Sequence, residues 1–277
     1  MSSRIASGSA APATRSDATS VFWSGWRTQM RVVGAVLLRE IITRYGRHNV
    51  GFLWLLLEPV IFTIGVVVLW NVMRHDSGFR VAVTPFVVTG YASLLLWRNC
   101  SFRGLKAIEP NRSLLHHRLV KVQDIFIARM TLEIAGVTAA FFVLVVAMIG
   151  LDLIAWPEDL ALLTAGWLLM AWFSACLGTL LGCLSETSDL VDRLWHPISY
   201  FLLAVSGTFF MVDWLPLAAQ EVVSWVPMVH PVEMMRAGYW GDSPRFHYNV
   251  GYIVLVCLVM SLVSLLLMAD RRMKMLA

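Results

Sequence analysis

Charge is scarce in this chain. Only 14% of its 277 residues are Asp, Glu, Lys or Arg, while 58% are hydrophobic. A soluble domain is usually about a quarter charged, so the composition points to a membrane protein. No GxxxxGKS or GxxxxGKT run occurs, which excludes ATP binding in the P-loop manner. Cysteine is limited to Cys100, Cys176, Cys183 and Cys257, all in or at the ends of apolar runs. With no CxxC and no Cys/His zinc spacing, they read as small core residues, and no metal is expected. Outside the membrane flanks no basic face is interleaved with aromatics, so nucleic acid is not an expected partner. Residues 1–20 are rich in Ser and Ala and lack the apolar core of a signal peptide. They read as a disordered tail. No internal repeat is visible, which argues against the repeat-built plan of secondary transporters.

What is present begins at Val21. Trp26, Met30, Val33, Leu37 and Ile41 recur at helical steps, with Arg27, Thr28, Arg31, Arg39 and Thr43 on the other side. The pattern predicts an amphipathic helix over 21–46 in the membrane interface, or else a helix packed on a partner. Apolar stretches follow at roughly Val50–Val72, Val81–Cys100, Ile125–Leu151, Leu160–Leu184, Pro197–Val212 and Val250–Met268. Most approach the ~20 residues a crossing needs; the fifth is short. The expected fold class is therefore an all-α membrane protein. Six transmembrane helices follow the interface helix, in one permease domain over 21–277.

Lys and Arg assign the sides. Seven Arg precede the first span. Arg103, Lys106, Arg112, Arg118 and Lys121 lie between spans two and three, and Arg271, Arg272 and Lys274 close the chain. The alternate connections are poorer in cations, so both termini are expected in the cytoplasm. The last outer connection, Asp213–Asn249, holds Pro216, Pro227, Pro231 and Pro244 among apolar pieces too short to span. Short helices re-entering the membrane would account for them, and a small periplasmic cap is the alternative.

Several residues are candidates for function. Arg39, Arg44, Tyr45, Arg47 and His48 gather where the interface helix meets span one, a place suited to an anionic group of a substrate. Arg can hold phosphate through paired, charge-assisted bonds. Trp54, Trp97, Trp167 and Trp172 lie away from the interfacial belt, and flat aromatics suit the CH face of a sugar. Glu58 sits inside span one beside Pro59, in water, a polar cavity or a subunit contact. Glu133 has Arg129 four residues earlier on one helix face. The inner loop breaks at Ile108-Glu109-Pro110-Asn111. Its Lys106, Glu109, Asn111 and Arg112 are candidates for contact with a cytoplasmic motor. His116-His117 has no third ligand nearby. Ser174, Gly178 and Gly182 recur at four-residue steps, which allows close helix contact.

With these residues in view, the chain resembles the permease subunit of capsular polysaccharide ABC exporters, the KpsM type. LREIITRYGRHNVGFLWLLLEP, AIEPNRSLLHHRLVKVQDIFIAR, the small-residue span around CLGTLLGC, and WVPMVHPVEMMR carry the resemblance. It implies a transport permease rather than an enzyme, in the bacterial inner membrane. It also implies a homodimer, and a separate ATP-binding subunit that holds ATP and magnesium, so no cofactor is expected in this chain. A lipid-linked polysaccharide substrate, a periplasmic co-polymerase or adaptor and an outer-membrane export channel follow from it too. Within the fourth stretch Trp225, Pro227, His230, Glu233 and Arg236 are expected to form an outer gate. An O-antigen or teichoic-acid exporter of the same architecture is the near alternative. A membrane enzyme acting on lipid-linked sugars, or an ion-coupled transporter, is the distant one.

Overall fold

The computed structural model describes residues 15–45, 57, 60–66, 68, 69, 72, 82–115, 120–241 and 244–276. Every regular element among them is helical. Helix α1 runs Arg15–Tyr45 and α2 Val83–Gly104; a 3-10 turn at Glu109–Asn111 leads into α3, Arg112–Leu115. The longer α4 (Val122–Gly150) and α5 (Leu160–Ser185) follow, then α6, Asp189–Val205. A second 3-10 turn, Val212–Trp214, precedes α7 (Leu217–Val223), α8 (Val229–Trp240) and α9 (Val250–Leu276). The segments 122–150, 160–185 and 250–269 are each long and apolar enough to cross a membrane. Their outward faces carry large apolar side chains in the open, among them Phe142, Leu168, Leu258 and Leu266. Water would penalise such faces and lipid would not.

Two expected boundaries move. Helix α1 begins inside the stretch expected to be tail, at Arg15. The stretch expected as a short fifth span starts earlier, at Asp189. Ser188 Oγ accepts from the Leu190 N–H at 3.3 Å and caps the helix, and Pro197 is carried inside it.

The core is built around α5. At one end of the bundle, a Cβ on Gly104 of α2 would collide with the backbone of Gly178. One on Gly182 would collide with the Phe126 ring of α4. The four-residue glycine spacing thus lets α2, α4 and α5 meet backbone to backbone. Toward the other end, a Cβ on Gly166 would strike Met235, and one on Gly238 would strike Leu163. That end therefore admits α8. The central seam between them is filled by Leu96, Trp97, Met170, Phe173 and Val232.

The same contacts sort the helix ends. The C-termini of α2 and α5 and the N-termini of α4 and α6 lie together. Ser185 and Asp189 reach Lys106, and Phe126 lies beside Gly182. The far end of α9 joins them through Leu267 and Met268. The opposite end gathers the start of α2, the end of α4, the start of α5, and α8.

Candidate functional site

The loop after α2 is held in shape from both sides. Lys106 adopts a left-handed backbone, φ 48°, which costs a non-glycine residue about 1–2 kcal/mol. Its N–H donates to Ser185 Oγ at 3.0 Å, and the Ile108 N–H donates to Glu186 Oε1 at 3.3 Å. The Lys106 ammonium reaches Asp189 at 3.4 Å and Asp192 at 3.7 Å, in the first turn of α6. Hydrogen bonding and charge from Asp189, with Asp192 behind it, hold its pKa above the ordinary lysine value.

On the other side the loop grips α1. Arg39 Nη1 donates to Asn111 Oδ1 at 2.6 Å. Asn111 Nδ2 donates to Glu40 Oε1 at 3.3 Å and to the Ala107 carbonyl at 3.0 Å. Arg129 of α4 donates to Glu40 at 2.7 Å and to the Arg103 carbonyl at 3.2 Å. Gln29 of α1 bonds Asp124, whose other oxygen accepts the Lys121 N–H at 2.9 Å and starts α4. Val33 and Val36 close the joint against Ala128. Trp23, Trp26, Met30, Leu38 and Ile42 form a second apolar face of α1, and this one is exposed. One face of the helix thus packs on α4 of the same chain, and another apolar face is left exposed.

This re-sorts the candidates. Glu109 and Arg112 are exposed, whereas Asn111 is buried and Lys106 turns toward α6. Arg39, expected among the substrate residues, is committed to Asn111. The Arg129 ion pair goes to Glu40, and the Glu133 carboxylate faces Arg103 at 3.6 Å. Spacing along α4 suggested Arg129 for Glu133 because it could not show that α1 supplies an acid to the same face. The side chains of Arg44 and Tyr45, and all of Arg47, His48, Trp54 and Glu58, lie outside the described residues, as do His116 and His117.

The aromatics are mostly structural. Trp97 is 0% exposed in the core, and its indole N–H has no partner among the described residues. Trp167 stacks on Phe141 at 4.6 Å and donates to Thr138 Oγ1 at 3.0 Å. Trp172 donates to Ser261 Oγ at 3.2 Å, joining α5 to α9. Phe141 and Trp167 also line an apolar cavity of about 410 Å³ with Val88, Ile154, Trp156 and Tyr239.

At the opposite end α8 presents His230, Glu233 and Arg236 three residues apart, all buried. Arg236 donates to the carbonyls of Gly207 (2.7 Å), Phe210 (2.6 Å) and Thr208 (3.0 Å). It pairs with Glu233 at 3.6 Å and lies 4.2 Å over the Phe86 ring. Glu233 accepts the N–H groups of Val212 (3.4 Å) and His247 (3.3 Å). His230 Nδ1 accepts the Asn249 N–H at 3.2 Å, so Nε2 carries the proton it gives to the Ser224 carbonyl at 2.9 Å. Trp225 is exposed and Pro227 half-buried. Tyr252 of α9 links this group: its hydroxyl donates to the Trp225 carbonyl at 2.8 Å, and its ring meets His230 at 5.1 Å. Trp225, Pro227 and His230 are linked through Tyr252 and the Pro227 carbonyl, while Glu233 and Arg236 form a pair of their own. Tyr252 was missed, because a lone Tyr at the start of an apolar run gives no signal.

The profile of the ABC-2 type transporter family matches residues 31–240. The chain is 42% identical over 244 residues to the capsule polysaccharide export inner-membrane protein CtrC of Neisseria meningitidis, covering 88% of this chain and 92% of that one. It is 39% identical over 242 residues to the capsule polysaccharide export inner-membrane protein BexB of Haemophilus influenzae, covering 87% and 91%. Against the polysialic acid transport protein KpsM of Escherichia coli it is 26% identical over 255 residues, covering 90% and 96%.

Proposed function

The chain belongs to the ABC-2 type transporter family and to the capsule polysaccharide export inner-membrane proteins within it, and from that premise we propose that it is the membrane subunit of an ATP-driven capsular polysaccharide exporter. Similarity over 92% of CtrC and 91% of BexB is the observation that carries this reading. The polymer is lipid-linked and enters where α1 meets the first span. ATP and magnesium belong to a separate cytoplasmic subunit, which docks on the exposed Glu109 and Arg112. Two copies of this chain form the permease. A periplasmic co-polymerase and an outer-membrane channel continue the path.

Six crossings and two cytoplasmic termini complete the proposal. Helices α7 and α8 are short and sit between α6 and α9, which suits segments that enter the outer half of the membrane and return. The buried ties of His230, Glu233 and Arg236 fix that region and would make it a stiff outer closure.

Deleting the chain should abolish surface polysaccharide and leave polymer inside the cell. Affinity purification of a tagged chain should bring down a Walker-type ATPase in equal amount. Normal surface polymer in the deletion strain, or a chain that purifies without any ATPase, would overturn the reading.

A further inference from the structure

Arg98 is a cation inside an apolar helix. It lies six residues before the end of α2, about 9 Å along the axis at 1.5 Å per residue. A charged side chain at such depth is costly and usually faces a cavity or a partner. Arg98 is half-buried. Its guanidinium is given no carboxylate among the described residues. Instead it lies 5.2 Å from the centre of the Tyr200 ring on α6 and 5.7 Å from that of Phe102 on its own helix. Phe102 in turn meets the His196 ring edge-on at 5.2 Å.

The pattern is regular. Arg98 and Phe102 are four apart on α2; His196 and Tyr200 are four apart on α6. Each pair therefore shares a helix face, and the two faces oppose one another. Behind them Trp195 Nε1 donates to Ser101 Oγ at 3.2 Å and fixes the distance between the helices. His196 Nδ1 is bound to the Asp192 carbonyl at 2.9 Å, so it must be the donor and Nε2 is left as an acceptor. Tyr200 is 60% exposed, and its neighbour Phe201 is exposed as well. The four groups thus offer a cation, an acceptor and flat rings on an open face. Rings hold a guanidinium without neutralising it, so its charge remains available.

We propose that Arg98, Phe102, His196 and Tyr200 form a binding site for an acidic sugar unit of the moving polymer. The proposal rests on the exporter reading above. The guanidinium takes the carboxylate or phosphate of the sugar through paired hydrogen bonds. Tyr200 stacks on its CH face, and His196 Nε2 accepts from a hydroxyl. A strong, fully desolvated salt bridge would trap a chain that must keep moving. A half-exposed cation shared with two rings holds each acidic unit and releases it.

The test uses the chain with its ATPase in capsule-producing cells. Arg98→Gln should lower surface polymer at least about tenfold while polymer accumulates inside. Arg98→Lys keeps the charge and Tyr200→Phe keeps the ring, so each should retain part of the export, and Tyr200→Ala should lose it. Yield of the assembled complex and its thermal midpoint should stay at the wild-type values in all four. Separately, His196→Cys in inside-out vesicles should react more slowly with an impermeant thiol reagent when polymer is engaged by a hydrolysis-deficient complex. Vesicles from a polymer-negative strain give the unprotected rate, and we expect at least about threefold protection. Export of Arg98→Gln within twofold of wild type would overturn the site. So would a loss of export that tracks loss of the assembled complex, or the absence of protection at His196→Cys. If the wild-type chain exports no polymer, the exporter reading fails instead.

Discussion

At residue scale the most demanding side chain is Arg236, fully buried with three backbone carbonyls, one carboxylate and one ring around it. The loop after α6 turns through Gly207 at φ 77°. Its carbonyls would be orphaned inside the protein without a donor, and Arg236 satisfies three of them. Removing one partner of a buried ion pair costs about 3–5 kcal/mol, because the other charge is left uncompensated. Arg236→Met should therefore lower the stability of the purified protein by that order, read as loss of monodispersity on heating. Arg236→Lys should recover only part, since a single ammonium cannot reach all three carbonyls and keep the ring contact. Heat stability equal to wild type in Arg236→Met would refute this role. The resemblance carried by WVPMVHPVEMMR drew attention to His230, Glu233 and Arg236. It could not tell a gate from a set of ties, because their backbone partners lie at 207–212, 224 and 247–249.

At the scale of the element, the inner loop has two faces that a linear reading merges. Glu109 and Arg112 face outward, while Asn111, between them in sequence, faces α1 and joins Arg39 to Glu40. Charge reversal at Glu109 and Arg112 together should reduce ATPase co-purification and leave α1 in place. Single exposed pairs contribute only about 0–1 kcal/mol, so both sites are changed. Asn111→Ala should do the reverse. It cuts the tie from the loop to α1 and takes the amide donor from the buried Ala107 carbonyl, at a cost of about 1–3 kcal/mol, while Glu40 keeps Arg129; amide exchange in α1 should accelerate roughly tenfold while ATPase binding persists. Identical effects of the two variants would show that the loop has no such division. The loop and the break at Pro110 were legible from Ile108-Glu109-Pro110-Asn111. Which face each residue takes depends on α1 docking across α4, a contact between segments about ninety residues apart that no periodicity encodes. The glycine pairing was legible for the opposite reason: the spacing of Gly178 and Gly182 is local, and only its target, Gly104, was hidden.

For the whole molecule, folding concentrates the charge. Arg98 and Arg103 of α2, Lys106 and Lys121 of the connecting loop, and Arg129 of α4 all lie toward the end where α2 and α5 finish and α4 and α6 begin. The opposite end holds Asp152, Glu158, Asp159, Asp213 and Glu221, with Arg245 near them and Arg236 already paired to Glu233. A sequence count of Lys and Arg compares loops; the fold shows that the basic loops share one end. Positive charge is retained on the cytoplasmic side, so that end should face inward. Ser113 on α3 and Ser224 after α7 are exposed markers of the two ends. The four native cysteines are all buried, so they can be replaced by Ala one at a time while complex assembly is followed. In that background Ser224→Cys should react with an impermeant maleimide in intact cells. Ser113→Cys should react only after the inner membrane is opened, with a rate difference of at least about tenfold. Equal labelling, or faster labelling at Ser113→Cys, would invert or abolish the orientation. It would also remove the acidic sugar site from the entry half of the path, since Arg98 lies toward the basic end.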